Sequence, residues 1–305
     1  FNYQPGHASH GIEIWGTDFA PDLVRKELWI GTHHFPGIDA IRLWLSHDAY
    51  LRYPERVSER LGTVLDAGED YGVEFLVTLF NGWHSYPDLG GLHPFSLSEW
   101  EKGPEYEQVF EPYVADTVGE YADHDAVLAW DLCNEPSFSD EDRTSPPGER
   151  EEPTLTYRFL ERVHEQVRGL EPAAPTTVGT VASPATVERY EPLSDVLATH
   201  PYYSYDLPDG PDDPAEFESA VDDLVAVANR AGKPLLATET GWGALDDARR
   251  AETLDVELAA LAERGVGFTA HLLHHTPVAD GHRPARGPVW TPGHMAFVER
   301  SGDLR

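Results

Sequence analysis

Short apolar runs return along the chain at fairly even intervals, each closed by turn-forming residues. Eight have the length and composition of strands: 11–15 (GIEIW), 38–45 (IDAIRLWL), 73–80 (VEFLVTLF), 126–132 (AVLAWDL), 176–181 (TTVGTV), 195–199 (DVLAT), 234–239 (PLLATE) and 266–273 (VGFTAHLL). Between them the apolar positions switch to helical spacing. Val57, Leu61, Val64 and Leu65 form one stripe behind Pro54, a good first-turn residue. Leu155, Phe159, Leu160, Val163 and Val167 form a second, with Thr154 as its cap. Phe217, Val221, Leu224 and Val225 give a third, and Ala251, Leu254, Leu258 and Leu261 a fourth. Less regular helical patterns cover 21–30, 105–122 and 184–192, with Pro112 expected to bend or restart the middle one. Eight strands alternating with helices predict an α/β fold, a (β/α)8 TIM barrel with residues 1–305 in a single domain.

The connections are lopsided. Helix-to-strand links are terse: EPAAP before 176, AGKP before 234 and RGVG near 265. Strand-to-helix links are long: 81–104, 133–153, 200–214 and 274–291. Loops leaving the carboxyl ends of barrel strands build active sites. Elaboration confined to that rim points to an enzyme.

Two of these strand ends carry a carboxylate. The fourth run stops at Asn134-Glu135-Pro136, and the seventh ends at Glu239 in PLLATETGW. A carboxylate after a buried run is unfavourable unless something pairs with it or uses it. In an eight-stranded barrel both would face one mouth across its centre. Two carboxyl groups so placed suit cleavage of a glycosidic bond: one protonates the leaving oxygen, and the other attacks the anomeric carbon or activates water.

With these elements in order, nearly the whole chain resembles the (β/α)8 retaining glycoside hydrolases of clan A, most closely glycoside hydrolase family 5, the cellulase and mannanase group. The resemblance implies that Glu135 is the acid/base, preceded by Asn134, and that Glu239 is the nucleophile. It maps a strand-two arginine onto Arg42 in IRLWLS, and a strand-six His-x-Tyr onto His200 and Tyr202 in THPYY. Arg42 would keep Glu239 ionised through a charge-assisted bond, and Tyr202 would donate to the same carboxylate. Asn134 would hold the sugar 2-hydroxyl, and His200 would tune Glu135 or hold sugar hydroxyls. The implied reaction is double displacement on β-1,4-linked glucan or mannan, without a cofactor, with the two carboxyl groups about 5–5.5 Å apart. The chain departs from the pattern twice. Where the family has a histidine near the end of strand three, this sequence reads LFNGWH, leaving Asn81 and His84 as alternatives. Where it has a tryptophan closing strand eight, this sequence reads AHLLHH, leaving Trp83, Trp242 or Trp290 to stack on the sugar.

Further aromatic residues on the same rim, Tyr86, Phe95, Trp100, Tyr203 and Tyr205, have flat faces suited to pyranose rings or to packing over the barrel end. The segment SDEDRTSPPGEREEP reads as a solvated loop. Two other function classes remain open. Histidines in HASH, THH and HLLHH could assemble a metal-dependent hydrolase, although HExxH is absent from the sequence. A barrel that binds carbohydrate without cleaving it is the other, and the carboxylate pair weighs against it.

Composition narrows the partners. There are 54 acidic residues against 22 basic ones, a formal net charge of −32, and the only lysines are Lys26, Lys102 and Lys233. The excess is spread over the whole chain, as in surfaces adapted to concentrated salt, and it disfavours nucleic acid and anionic membranes as partners. A carbohydrate substrate is expected, and no protein partner is implied. Cys133 is the sole cysteine, which rules out an internal disulfide or an all-cysteine metal site. Apolar runs fall short of membrane-spanning length. The chain opens at Phe1 without a signal peptide and reads as a mature or trimmed fragment. Localisation stays open, with secretion suiting a polysaccharide substrate.

Overall fold

The computed structural model describes residues 1–82, 92, 100–101, 103–136, 154–203, 211, 213–244, 246–278 and 295–305. Its framework is one parallel sheet of eight strands in chain order: β1 (Asn2–Tyr3), β2 (Ala40–Trp44), β3 (Glu74–Asn81), β4 (Val127–Asn134), β5 (Thr176–Val181), β6 (Leu197–His200), β7 (Leu235–Thr240) and β8 (Gly267–Ala270). The Leu273 N–H donates to the Asn2 carbonyl at 2.9 Å, and the Asn2 side-chain amide to the Thr269 carbonyl at 3.2 Å. These bonds draw β8 toward β1, so the sheet curls into a nearly closed barrel with helices between its strands. No described helix is long and apolar enough to cross a membrane.

The first strand is not where periodicity predicts it. GIEIW at 11–15 is helical and runs into a π-helical turn, Glu13–Thr17, with Ile14 and Trp15 buried. The edge of β2 is taken instead by Asn2–Tyr3, with Asn2 in register with Arg42. A strand of two residues with a polar inward position leaves no alternation to detect. Trp15 donates from Nε1 to the Trp44 carbonyl at 2.8 Å, so this turn packs beside the end of β2.

The other seven strands fall within or overlap the predicted runs. Their outward residues meet the helical stripes, as when Ile41, Leu43, Phe75 and Val77 join Val57, Leu61, Val64 and Leu65 of helix Pro54–Tyr71 in one core. Pro54 opens that helix, and Thr154 caps helix Leu155–Gly169 by accepting from the Tyr157 N–H at 3.2 Å. The 105–122 pattern resolves into π-helical Tyr106–Phe110, α-helical Glu111–Val114 with Pro112 in its first turn, and π-helical Ala115–Gly119. Helix Asp247–Glu263 forms as expected but buries a different face. Ala251 is exposed, Leu254 and Leu258 are half-buried, and Arg250, Thr253, Glu257, Ala260 and Leu261 point inward. Its inner face serves backbone groups and not only apolar packing.

Beneath the carboxyl ends of β3 and β4 lies an aromatic cluster centred on Phe159, which is fully buried. Its ring meets those of Phe110 at 4.8 Å, Phe80 at 5.3 Å, Trp100 at 5.8 Å and Tyr106 at 6.1 Å, all edge-on or tilted. Phe159→Ala is expected to destabilise the fold by about 3–5 kcal/mol. Urea unfolding followed by tryptophan fluorescence measures this, and a loss below about 1 kcal/mol would contradict the central position given to that ring.

Candidate active site

Strand alternation puts Asn2, Arg42, Thr78, Asp131 and Thr238 inside the barrel, where a polar layer replaces the usual apolar one. Arg42 on β2 is its centre, fully buried. Its Nε and Nη2 donate to Asp131 Oδ2 at 3.0 and 2.6 Å. Nη2 also reaches Asn134 Oδ1 at 2.9 Å, while Nη1 reaches Asn2 Oδ1 at 3.4 Å and Glu239 Oε2 at 3.0 Å. Asp131, equally buried, accepts from Thr78 Oγ1 at 2.8 Å and from the Gly179 N–H at 3.0 Å. A buried ion pair is favourable only when its remaining hydrogen-bonding capacity is filled. Here it is filled from β1, β3, β4, β5 and β7.

Glu239 lies near the carboxyl end of β7, with its side chain 13% exposed. Arg42 holds Oε2, and the Tyr202 hydroxyl donates to Oε1 at 2.5 Å. His271, just past β8, brings Nδ1 within 4.0 Å of Oε1 and stacks on Trp44 at 6.1 Å. Burial pushes the Glu239 carboxyl up, but the His271, His200 and Arg42 charges and the Tyr202 hydroxyl pull it down to about 2.

Glu135 follows β4 in the left-handed region at φ 44, a conformation a residue with a Cβ adopts only under constraint. Its N–H donates to the Gly179 carbonyl at 2.7 Å. Gly82 packs against its backbone so closely that a Cβ there would stand 2.4 Å from the Glu135 carbonyl oxygen. The turned backbone presents the carboxylate to His200, whose Nδ1 lies 2.8 Å from Glu135 Oε1 and 3.9 Å from Glu239 Oε2. One imidazole nitrogen thus reaches both carboxylates. His200 Nε2 rests 3.2 Å from Thr238 Oγ1, and a Cβ on Gly179 would intrude on both His200 and Arg42, at 2.9 and 2.8 Å. Asn134 completes the group by donating from Nδ2 to Asn81 Oδ1 at 2.9 Å.

The fold therefore gathers Arg42, Asn134, Glu135, His200, Tyr202 and Glu239 at one end of the barrel. Trp242 stands beside them, its ring edge-on to Tyr202 at 5.5 Å. Trp83, His84 and Trp290 lie outside the described residues, as do Tyr86, Phe95 and Tyr205. Tyr203 is not a rim ring: it is fully buried against Phe217, and Trp100 packs on Phe159. Among the described residues no three histidine, cysteine or acidic side chains gather as metal ligands. His34 contacts the Gly302 carbonyl and His274 lies 3.5 Å from Glu27, away from the carboxylate pair. Sequence reasoning missed Asp131 and His271. Asp131 is the lone charge inside an apolar run, the signal a buried partner for Arg42 would leave.

A family model described as Cellulase (glycosyl hydrolase family 5) matches residues 4–275. The probable mannan endo-1,4-beta-mannosidase F of Neosartorya fischeri is 32% identical over 83 residues, covering 25% of this chain and 18% of that protein. The match therefore spans less than a fifth of that relative's length. Among solved structures, the GH5_18 protein of Streptomyces cattleya in complex with GlcNAc superposes with a TM-score of 0.71 at 17% identity, covering 99% of this chain and 77% of that one. The exo-beta-1,4-mannosidase of Opitutaceae bacterium strain TAV5 gives 0.70 at 20% identity, covering 100% and 56%. Identities this low show a common fold.

Asp131→Asn is expected to destabilise the protein by about 3–5 kcal/mol, because the buried guanidinium loses its principal counter-ion. Denaturant titration of parent and variant measures the loss, and an unchanged midpoint would remove Asp131 from its place as anchor of Arg42.

Proposed function

The chain belongs to glycosyl hydrolase family 5, and from that membership we propose that it is a retaining β-glycoside hydrolase, with residues 1–305 as one catalytic unit. The observation that carries this reading is the unequal company of the two carboxylates. Glu239 is bonded to a permanent cation and a phenol, whereas Glu135 is bonded to an imidazole.

Glu239, held ionised, attacks the anomeric carbon. Glu135 protonates the departing glycosidic oxygen, and a glycosyl ester forms on Glu239. Glu135 then takes a proton from water, which attacks the same carbon and releases Glu239 as the carboxylate. The reach of one His200 nitrogen to both carboxylates supports the close spacing of about 5–5.5 Å on which this route depends. Asn134, gripped between Arg42 and Asn81, presents its remaining amide hydrogen to the sugar 2-hydroxyl. The substrate class is β-1,4-linked mannan or glucan, which the mannosidase relatives support. The acidic surface, with its net charge of −32, is adapted to high salt.

Glu239→Ala and Glu135→Ala are each expected to lower kcat on mannan or a chromogenic β-glycoside by at least about 10³-fold, and the first product of the parent keeps the β configuration by NMR. An inverted first product would remove the covalent step. Sugar binding without turnover in the parent would favour a carbohydrate-binding barrel, and an EDTA-sensitive activity indifferent to Glu239→Ala would favour a metal-dependent hydrolase.

Raising salt from about 0.1 M to 1 M shortens the screening length from about 10 Å to 3 Å, so the thermal midpoint is expected to rise by several degrees. A midpoint that falls or stays level with added KCl would refute salt adaptation.

A further inference from the structure

Helix Asp247–Glu263 turns a carboxylate, Glu257, into the protein interior, where it is fully buried. Burying such a group is unfavourable unless hydrogen bonds replace its water. Among the described residues Glu257 has no ion pair. Its partners are backbone amides from two different loops. The Tyr203 N–H, just past β6, donates to Oε1 at 2.7 Å. The Trp242 N–H, just past β7, donates to Oε2 at 3.1 Å, and the adjacent Gly241 N–H donates as well. Gly241 adopts φ 98, a backbone state suited to glycine that lets consecutive amides face one acceptor.

These two loops flank Glu239. One carries Tyr202, whose hydroxyl binds the carboxylate, and the other carries Trp242, whose ring packs on Tyr202. The Thr240 hydroxyl makes a second tie, donating to the Pro201 carbonyl at 2.7 Å. Glu257 directs its hydrogen bonds to these backbone amides and not to the paired carboxylates. It holds the backbone from which Tyr202 reaches Glu239.

We propose that Glu257 is a positioning residue for the reaction, clamping the segments after β6 and β7 so that the Tyr202 hydroxyl stays on the Glu239 carboxylate. The inference rests on the function proposed above. Glutamine at this position keeps the volume but swaps one acceptor for an amide donor that faces backbone N–H groups. It also removes a buried ionisable group, which offsets part of that loss.

The test compares the full-length parent with Glu257→Gln, Tyr202→Phe and the double variant. Hydrogen exchange at Tyr203, Gly241 and Trp242 is expected to quicken by about tenfold or more in Glu257→Gln, without change in the strands β2–β4. Turnover of a chromogenic β-glycoside by that variant is expected to fall by about 10–100-fold in kcat, with KM near the parental value. In the Tyr202→Phe background the same substitution is expected to cost less than about threefold, since the two act through one contact. Unaltered exchange at those amides would overturn the clamp, and a full multiplicative loss in the double variant would overturn its action through Tyr202. If Glu257→Gln does not fold, Glu257→Asp, which withdraws the carboxylate by one methylene, is read in the same way. A parent inactive on every β-glycoside would end both the proposed function and this inference. That outcome is told apart from a failed clamp because exchange requires no substrate.

Discussion

The ion pair between Arg42 and Asp131 is the constraint on which the rest of the barrel mouth depends. Both side chains are shut away from water, so neither could be there without the other. Asp131 takes the Nε edge and Nη2, which fixes the plane of the guanidinium and leaves Nη1 directed at Glu239. A lysine would supply the charge but not the plane, because its ammonium is a point donor on a flexible stem. The surrounding hydrogen bonds come from several strands, and the orientation of the arginine is therefore a property of the whole barrel. The two small residues that line it, Gly179 and Gly82, are the space this arrangement needs: a side chain at either would strike Arg42 and His200 or the Glu135 backbone.

From that fixed cation the two carboxylates acquire different characters. Glu239 faces a group that never loses its charge, and Tyr202 and His271 add to the same side of the balance. Glu135 is met instead by the His200 imidazole, whose Nδ1 lies 2.8 Å from its Oε1, with no guanidinium or phenol bonded to it among the described residues. Two residues of one chemical type, in reach of one imidazole nitrogen, are thereby made unequal by their neighbours alone. Such inequality is what acid–base division of labour requires. The left-handed backbone at Glu135 belongs to the same logic: strain at a strand end redirects a side chain that ordinary alternation would have sent elsewhere.

How much of this was legible beforehand follows from where the chemistry sits. Strands β2 to β8 could be read because their outward residues pack on helices and leave an apolar signature. The two-residue β1 could not, since its inward residue is Asn2 and it is too short to alternate. Glu135 and Glu239 stood out as charges at the ends of apolar runs. Asp131 was passed over because it lies in the middle of one, although Arg42 in the middle of another was its visible counterpart. The face of helix Asp247–Glu263 was misassigned for a related reason. Amphipathic reasoning assigns leucines inward and glutamates outward. Glu257 reverses this because its partners are backbone amides, which carry no residue-type signal. Trp83, His84 and Trp290, by contrast, lie outside the described residues.

The charge of the chain as a whole sharpens the point. With a net charge of −32, the average field disfavours every additional anion and would push buried carboxyls up. Glu239 nevertheless falls to about 2. Local groups must therefore outweigh the global excess, and distance explains how. The Arg42, His200 and His271 nitrogens stand 3.0–4.0 Å from its oxygens, where the carboxylate is only 13% exposed, whereas acidic side chains such as Asp66 and Asp222 are more than half exposed. Interactions across solvent fade over roughly a Debye length, while those inside the barrel do not. A chain can therefore load its surface with acid and still control the ionisation of one buried carboxylate, because the two effects operate in different dielectric surroundings. Salt that screens the surface charges leaves the Arg42 contact unscreened, so the surface charge and the electrostatics of the barrel mouth are separable properties of one sequence.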